Sequence, residues 1–187
     1  MVGGRGIHPV TSVAGGISFV LDNEKKNQLQ TWIMEINELV PQLAVAAKDL
    51  LLRLIDQHPS LLSDWVIPSW HVGTVQDGKA AMLNGDLRAV DEKGKVRTEF
   101  PTGDYDKHLE ETVVDWSYMK EVRILKNDDR FDYRVGPLAR VNLSEGFGTE
   151  AADFELASLR KLGGDPCHAV AFQAYARVVE ILYAAER

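Results

Sequence analysis

From Asp22 to about Asp56 the apolar residues Leu29, Trp32, Ile33, Ile36, Val40, Leu43, Ala47, Leu50, Leu51 and Leu54 succeed one another mostly in steps of three and four. Only a helix gathers residues so spaced onto one face, so this stretch demands a long amphipathic helix, about 50 Å at 1.5 Å per residue. Asp22 suits its N-cap, because a carboxylate there accepts from the free N–H groups of the first turn. Glu24 suits the positive end of the helix dipole. Pro41 removes a backbone donor and crowds the carbonyl four residues back. Either a kink or two abutting helices is therefore expected.

Beyond His58-Pro59 the pattern changes. Trp65, Pro68 and Trp70 lie in an irregular stretch, and turn signals follow at Asp77-Gly78, Asn84-Gly85 and Lys93-Gly94. Leu87–Val90 and Val96–Phe100 flank the polar loop Asp91–Lys95 and read as a β-hairpin with Gly94 supplying a positive φ. A short helix is expected over Asp106–Met119, with Leu109, Val113, Trp116 and Tyr118 inward. Phe131–Val135 alternates like a strand, which Gly136 ends, and Pro137 opens a helical turn holding Leu138, Ala139 and Arg140. Two C-terminal helices, Thr149–Leu162 and Asp165–Arg187, are separated by Gly163-Gly164, and the second presents Phe172, Tyr175, Val179 and Leu182 on one side. The fold class is therefore α+β and helix-rich: a long N-terminal helix, a small antiparallel hairpin region and two C-terminal helices. No repeat or linker divides residues 1–187, so a single domain is expected.

Composition narrows the function classes. The chain of 187 residues has one cysteine, Cys167, which excludes an internal disulfide, a C-x-x-C pair and a four-cysteine metal site within it. A formal charge of −7 and the lack of any dense Lys/Arg run speak against nucleic-acid binding. The N-terminus lacks the apolar stretch of a secretory signal, and no apolar run is long enough to span a bilayer, so a cytoplasmic location without membrane insertion is expected.

Each candidate chemistry has a plainer reading beside it. Cys167 follows Asp165-Pro166, where a helix dipole would make it a nucleophile; alternatively, Asp165 is a cap, Pro166 a first-turn residue and Cys167 a packing residue. Cys167 and His168, adjacent on a helix, diverge by about 100° and cannot share a metal. His8, His58, His71 and His108 have no ligand spacing. Gly4-Arg5-Gly6-Ile7-His8-Pro9 begins like a dinucleotide loop but has Pro9 at the third glycine. Gly146-Phe147-Gly148-Thr149 precedes a helix without the Lys-Ser/Thr of a phosphate loop, and both read as turns. Glu110-Glu111 and Asp128-Asp129 read as solvated surface carboxylates.

Two stretches are more specific: Gly4-Arg5-Gly6-Ile7-His8-Pro9-Val10 with Gly15-Gly16, and Tyr133-Arg134-Val135-Gly136-Pro137-Leu138-Ala139-Arg140-Val141-Asn142. In this order they resemble the central part of the large subunit of nickel–iron hydrogenases, whose motifs read G-R-x-x-H-P with G-G, and G-P-L-A-R. Trp116-Ser117-Tyr118-Met119-Lys120, and Tyr175-Ala176-Arg177 with Glu180 and Leu182, support the match, so it spans essentially the whole chain. The wording is similar to that of the cytoplasmic group with F420-non-reducing (methyl-viologen-reducing) and NAD(P)-linked enzymes. Ala14 stands where that family often has proline, and Lys120-Glu121-Val122 where it has K-x-P.

The resemblance implies a parent that reversibly oxidises hydrogen at a nickel–iron centre held by two C-x-x-C pairs, and that passes electrons to a small iron–sulfur subunit. Neither pair is present here. Asp165-Pro166-Cys167 mimics the start of the family's D-P-C-x-x-C, but Val170 replaces the second thiol, and helix capping accounts for the match. The expectation is thus a central segment of such a large subunit, inactive alone and without bound metal. Arg5, His8, Pro137 and Arg140 are its candidate pocket-bracing residues, or ties between buried polar groups. A metal-free scaffold or subunit-interaction module is the rival reading, and a thiol enzyme using Cys167 a third. Apolar faces left uncovered imply self-association.

Overall fold

The computed structural model describes residues 12–13, 16–17 and 21–187. It falls into two compact units, Met1–Gln42 and Leu43–Arg187. In the first, β1 (Ser12–Val13) pairs antiparallel with β2 (Gly16–Ile17). Helix α1 (Asn23–Gln57) starts there, with the Lys25 amide donating to the Asp22 carboxylate at 2.9 Å, which is the expected cap. Pro41 lies inside α1, so of the two alternatives, a kink or two abutting helices, the second is corrected to one helix. A proline deletes a single bond of the ladder, and the bonds on either side of it persist.

The larger unit is built on a five-stranded sheet. Its strands are β3 (Trp70–Gln76), β4 (Lys79–Ala80), β5 (Asp86–Val90), β6 (Val96–Pro101) and β10 (Tyr133–Arg134), in the order β10-β3-β5-β6 with β4 on β3. The β5–β6 hairpin is the expected one, with Gly94 at φ 76° in its loop. A second sheet joins β7 (Leu109–Thr112), β8 (Glu121–Lys126) and β9 (Asp129–Phe131). Helices α2 (Tyr105–His108), α3 (Pro137–Leu143), α4 (Glu150–Gly163) and α5 (Phe172–Glu186) complete an α+β fold.

Alternation along β3 divides the core. Trp70 and Val72, with Ala89 of β5, pack against Ile124 of β8, and the Trp70 ring stacks on Phe131 at 4.1 Å. On the opposite face Val75 and Val90 pack against Ala139 and Leu143 of α3. Helix α5 buries Phe172, Tyr175, Val179 and Leu182, as its pattern requires.

Three expected elements are corrected. Helix over Asp106–Met119 gives way to α2 and then β7, and Val113, Trp116 and Tyr118 are exposed, Trp116 by 79%. Leu109 and Glu111 find partners in β8, at Ile124 and Val122, and that ladder outweighs a local helical spacing. The expected strand Phe131–Val135 is split: Phe131 ends β9 in one sheet and Tyr133-Arg134 joins β3 in the other. The last helix starts at Phe172, not Asp165, because residues 65–67 draw the preceding segment into a bridge: Ile67 N donates to His168 O and Val170 N to Trp65 O.

Asp91 is the polar pivot of the hairpin. It is 1% exposed, and its carboxylate accepts from Lys93 N and Lys95 N, both at 2.9 Å, and from Arg97 Nε at 2.7 Å. Burial alone would raise the carboxyl, but the Lys95 amide, the Arg97 guanidinium and the Lys93 amide together hold it below its usual 3.8. A carboxyl depressed on folding stabilises fully above its unfolded value and loses that contribution as pH falls through the folded one. Asp91→Ala is expected to cost about 2–3 kcal/mol at pH 7 by denaturant unfolding. The difference from the parent chain should shrink below about pH 4; an undiminished difference at pH 3 would refute this account of the pivot.

Candidate functional site

Of the four candidate residues, Arg5 and His8 lie outside the described residues. Pro137 and Arg140 share helix α3. Gly136, at φ 90°, turns the chain out of β10 in a conformation that favours glycine, and Pro137 then fills the first helical position, where no N–H is needed. Leu138, Ala139 and Val141 are fully buried. Arg140 Nε donates to the Glu180 carboxylate of α5, both side chains being largely buried. The structure thus brings Arg140 and Glu180, two residues of the matched motifs, into one ion pair.

The closeness of α3 to the sheet depends on Gly73 of β3. A Cβ there would stand 2.9 Å from Leu143 and 3.3 Å from the Arg140 stem. The same approach brings Asn142 against β3. Its Oδ1 accepts from Cys167 N at 2.9 Å, and its Nδ2 donates to Cys167 O at 2.7 Å and faces His71 Nε2 at 3.0 Å. Arginines close the far end of α3: Arg160 donates to Val141 O at 2.8 Å and to Ser144 O at 2.6 Å, and Arg88 to Leu143 O at 3.2 Å.

Cys167 is fully buried and sits in no helix, so neither the cap nor the dipole expected of Asp165-Pro166 acts on it. Burial pushes its thiol up to about 11, away from the thiolate that nucleophilic work needs. His168, off the helix as well, stacks on His71. Among the described residues no group of three or more His, Cys, Asp or Glu is placed to hold a metal.

The Gly146–Thr149 turn lies at the start of α4, where free N–H groups suit an anion. The chain's own carboxylates occupy those donors. Asp153 accepts from Phe147 N at 2.6 Å and Gly148 N at 3.0 Å, and Glu186 from Ala151 N at 2.9 Å and Ala152 N at 3.1 Å. Glu110 and Glu111 pair with Arg130 and Lys120 on the surface. Sequence reasoning assigned no role to His71, Asn142 or Arg160 because the contacts that define their roles, His71 with Asn142 and Arg160 with Ser144, join residues 71 and 16 positions apart. Only the place of Asn142 at the end of the second motif offered a hint.

No protein-family model matches the chain. It is 31% identical to a subunit of the F420-non-reducing hydrogenase vhc of Methanococcus voltae, over 99% of this chain and 39% of that protein. The beta subunit of the NAD-reducing hydrogenase HoxS of Cupriavidus necator is 26% identical, over 98% of this chain and 39% of its own length. A crystal structure of an NAD+-reducing [NiFe]-hydrogenase in the H2-reduced state superposes with a TM-score of 0.78 at 25% identity, covering 96% of this chain and 40% of that one.

The chain thus spans about two fifths of the length of the curated relatives it matches, and its similarity is to subunits of hydrogenases. The expected identity and function, a central domain of a nickel–iron large subunit, are corrected. The relatives are other subunits, one from an F420-non-reducing and one from an NAD-reducing enzyme, and a hydrogenase-related chain is what they support.

Replacing Arg140 by Met leaves the Glu180 carboxylate buried without its cation. Thermal or urea unfolding of Arg140→Met is expected to show a loss of about 2–3 kcal/mol, most of it restored in the double variant Arg140→Met/Glu180→Leu. Additive losses in the double variant would show that the pair is not coupled.

Proposed function

We propose that this chain is a scaffold and docking segment of a hydrogenase-type oxidoreductase assembly. Other parts of that assembly hold the metal centres that exchange electrons with hydrogen. An iron–sulfur subunit is the expected partner and the cytoplasm the expected compartment; no helix among the described residues is long and apolar enough to cross a membrane. Pro137 and Arg140 serve in this reading as bracing residues that fix α3 between β3 and α5. The relatives named above supply the assembly's chemistry by similarity.

The observation that carries the docking role is the state of α1 within the first unit. Trp32, Ile33, Met34, Ile36 and Leu39 are all exposed, Met34 by 71% and Leu39 by 59%. Aromatic and aliphatic side chains crowded in this way mark a surface that another polypeptide covers.

Sedimentation of the purified chain tests the reading. Concentration-dependent self-association is expected, with Ile36→Glu and Leu39→Glu shifting the chain toward monomer at unchanged helicity. Hydrogen-dependent dye reduction is expected to be absent. A strict monomer at high concentration would remove the docking role, and dye reduction by the chain alone would remove the scaffold reading.

A further inference from the structure

Residues 164–171 form a connection between α4 and α5 that the rest of the larger unit holds in place. The Asn142 amide grips the Cys167 backbone on both sides, and residues 65–67 bridge to His168 and Val170. The His168 Nε2–H donates to Glu92 O at 2.8 Å. Beneath them His71 is fully buried, stacked on His168 with ring centroids 5.3 Å apart.

These contacts fix protons as well as positions. Cys167 N–H requires the Asn142 oxygen and Cys167 C=O requires its nitrogen, so the amide cannot be turned over without losing both bonds. Asn142 Nδ2–H is therefore what faces His71 Nε2, and His71 must accept there and carry its proton on Nδ1. A proton arriving at Nε2 would set donor against donor, facing the Asn142 Nδ2–H. Asn142 could answer only by turning its oxygen toward His71, which replaces both Cys167 bonds with repulsive contacts.

The charged surroundings of His71 add to this opposition. Arg134 of β10 is its register neighbour, and His168 covers its ring. Arg140 of α3, packed over Gly73, is neutralised by Glu180, and Asp91, which follows the cross-strand partner Val90, is neutralised by Arg97. The Cys167 thiol is neutral. No free carboxylate among these groups offers to stabilise an imidazolium.

We propose that residues 164–171 are a proton-gated latch, closed over the Cys167 thiol while His71 is neutral and opened when His71 takes up a proton at Nε2. Burial, followed by His168 and Arg134, pushes closed-state His71 down to about 3, whereas an opened segment returns it toward 6.5. The closed state therefore binds fewer protons between these values, and opening is favoured as pH falls. The latch keeps its full strength above pH 6.5 and weakens about tenfold per pH unit below it.

Hydrogen exchange of the Cys167 amide in the full chain, corrected for the intrinsic pH dependence of exchange, tests this. Protection is expected to fall about fiftyfold from pH 6.5 to 4.5, while the Val72 and Ala89 amides, in the paired β3–β5 ladder, keep theirs. Labelling of Cys167 by a pyridyl disulfide reactive in acid should rise in parallel. His71→Gln, which can still accept from Asn142 but cannot titrate, should flatten both profiles. A flat profile in the unaltered chain, equal loss at Val72 and Ala89, or a profile unchanged by His71→Gln would each overturn the latch. Nitrogen NMR of the unaltered chain decides independently of that variant: the Nδ1–H form of His71 at pH 7 supports the latch, and the Nε2–H form excludes it.

Discussion

The close approach of α3 to β3 across Gly73 is the constraint on which the larger unit rests. Without a side chain at that position, Leu143 and the Arg140 stem descend onto the sheet, and Asn142 is carried to within hydrogen-bonding distance of two other segments. Its amide group is then satisfied only when strand, helix and the 164–171 connection are all in place. A buried amide lacking any of these partners would cost about 1–3 kcal/mol, so the three segments stand or fall together. The Arg140–Glu180 pair extends the same dependence to α5.

What was legible in the sequence was local. The period and the Asp22 cap of α1, the β5–β6 hairpin with Gly94, Pro137 at the start of α3 and the buried face of α5 each follow from residues a few positions apart, and each stands in the structure. What was not legible was settled by partners far along the chain. Leu109 and Val113 are spaced as on a helix, yet Leu109 is drawn into a strand by Ile124. Asp165-Pro166 reads as a cap, yet the bridge to residues 65–67 and the grip of Asn142 hold the following residues out of helix until Phe172.

The candidate site shows the same division. The string from Tyr133 to Asn142 foretold the start of α3 and drew attention to Arg140, because its glycine and proline have roles that depend on local geometry. The roles of Asn142 and His71 exist only in three dimensions, and no spacing rule joins a strand residue to an amide 71 positions later. Likewise, the motifs were read as those of a nickel–iron large subunit, whereas the relatives are other hydrogenase subunits.

The C-terminal carbonyls of α3 are received by Arg160, a side chain of α4. The end of α3 is thus held from outside as well as by its own Ser144, whose hydroxyl donates to Arg140 O at 2.7 Å. Substitution histories of this fold should reflect that arrangement: position 160 tolerates little besides a forked cation of the same reach. A helix boundary has in effect been moved to another part of the chain, and drift there would lengthen or fray α3 without touching its own sequence.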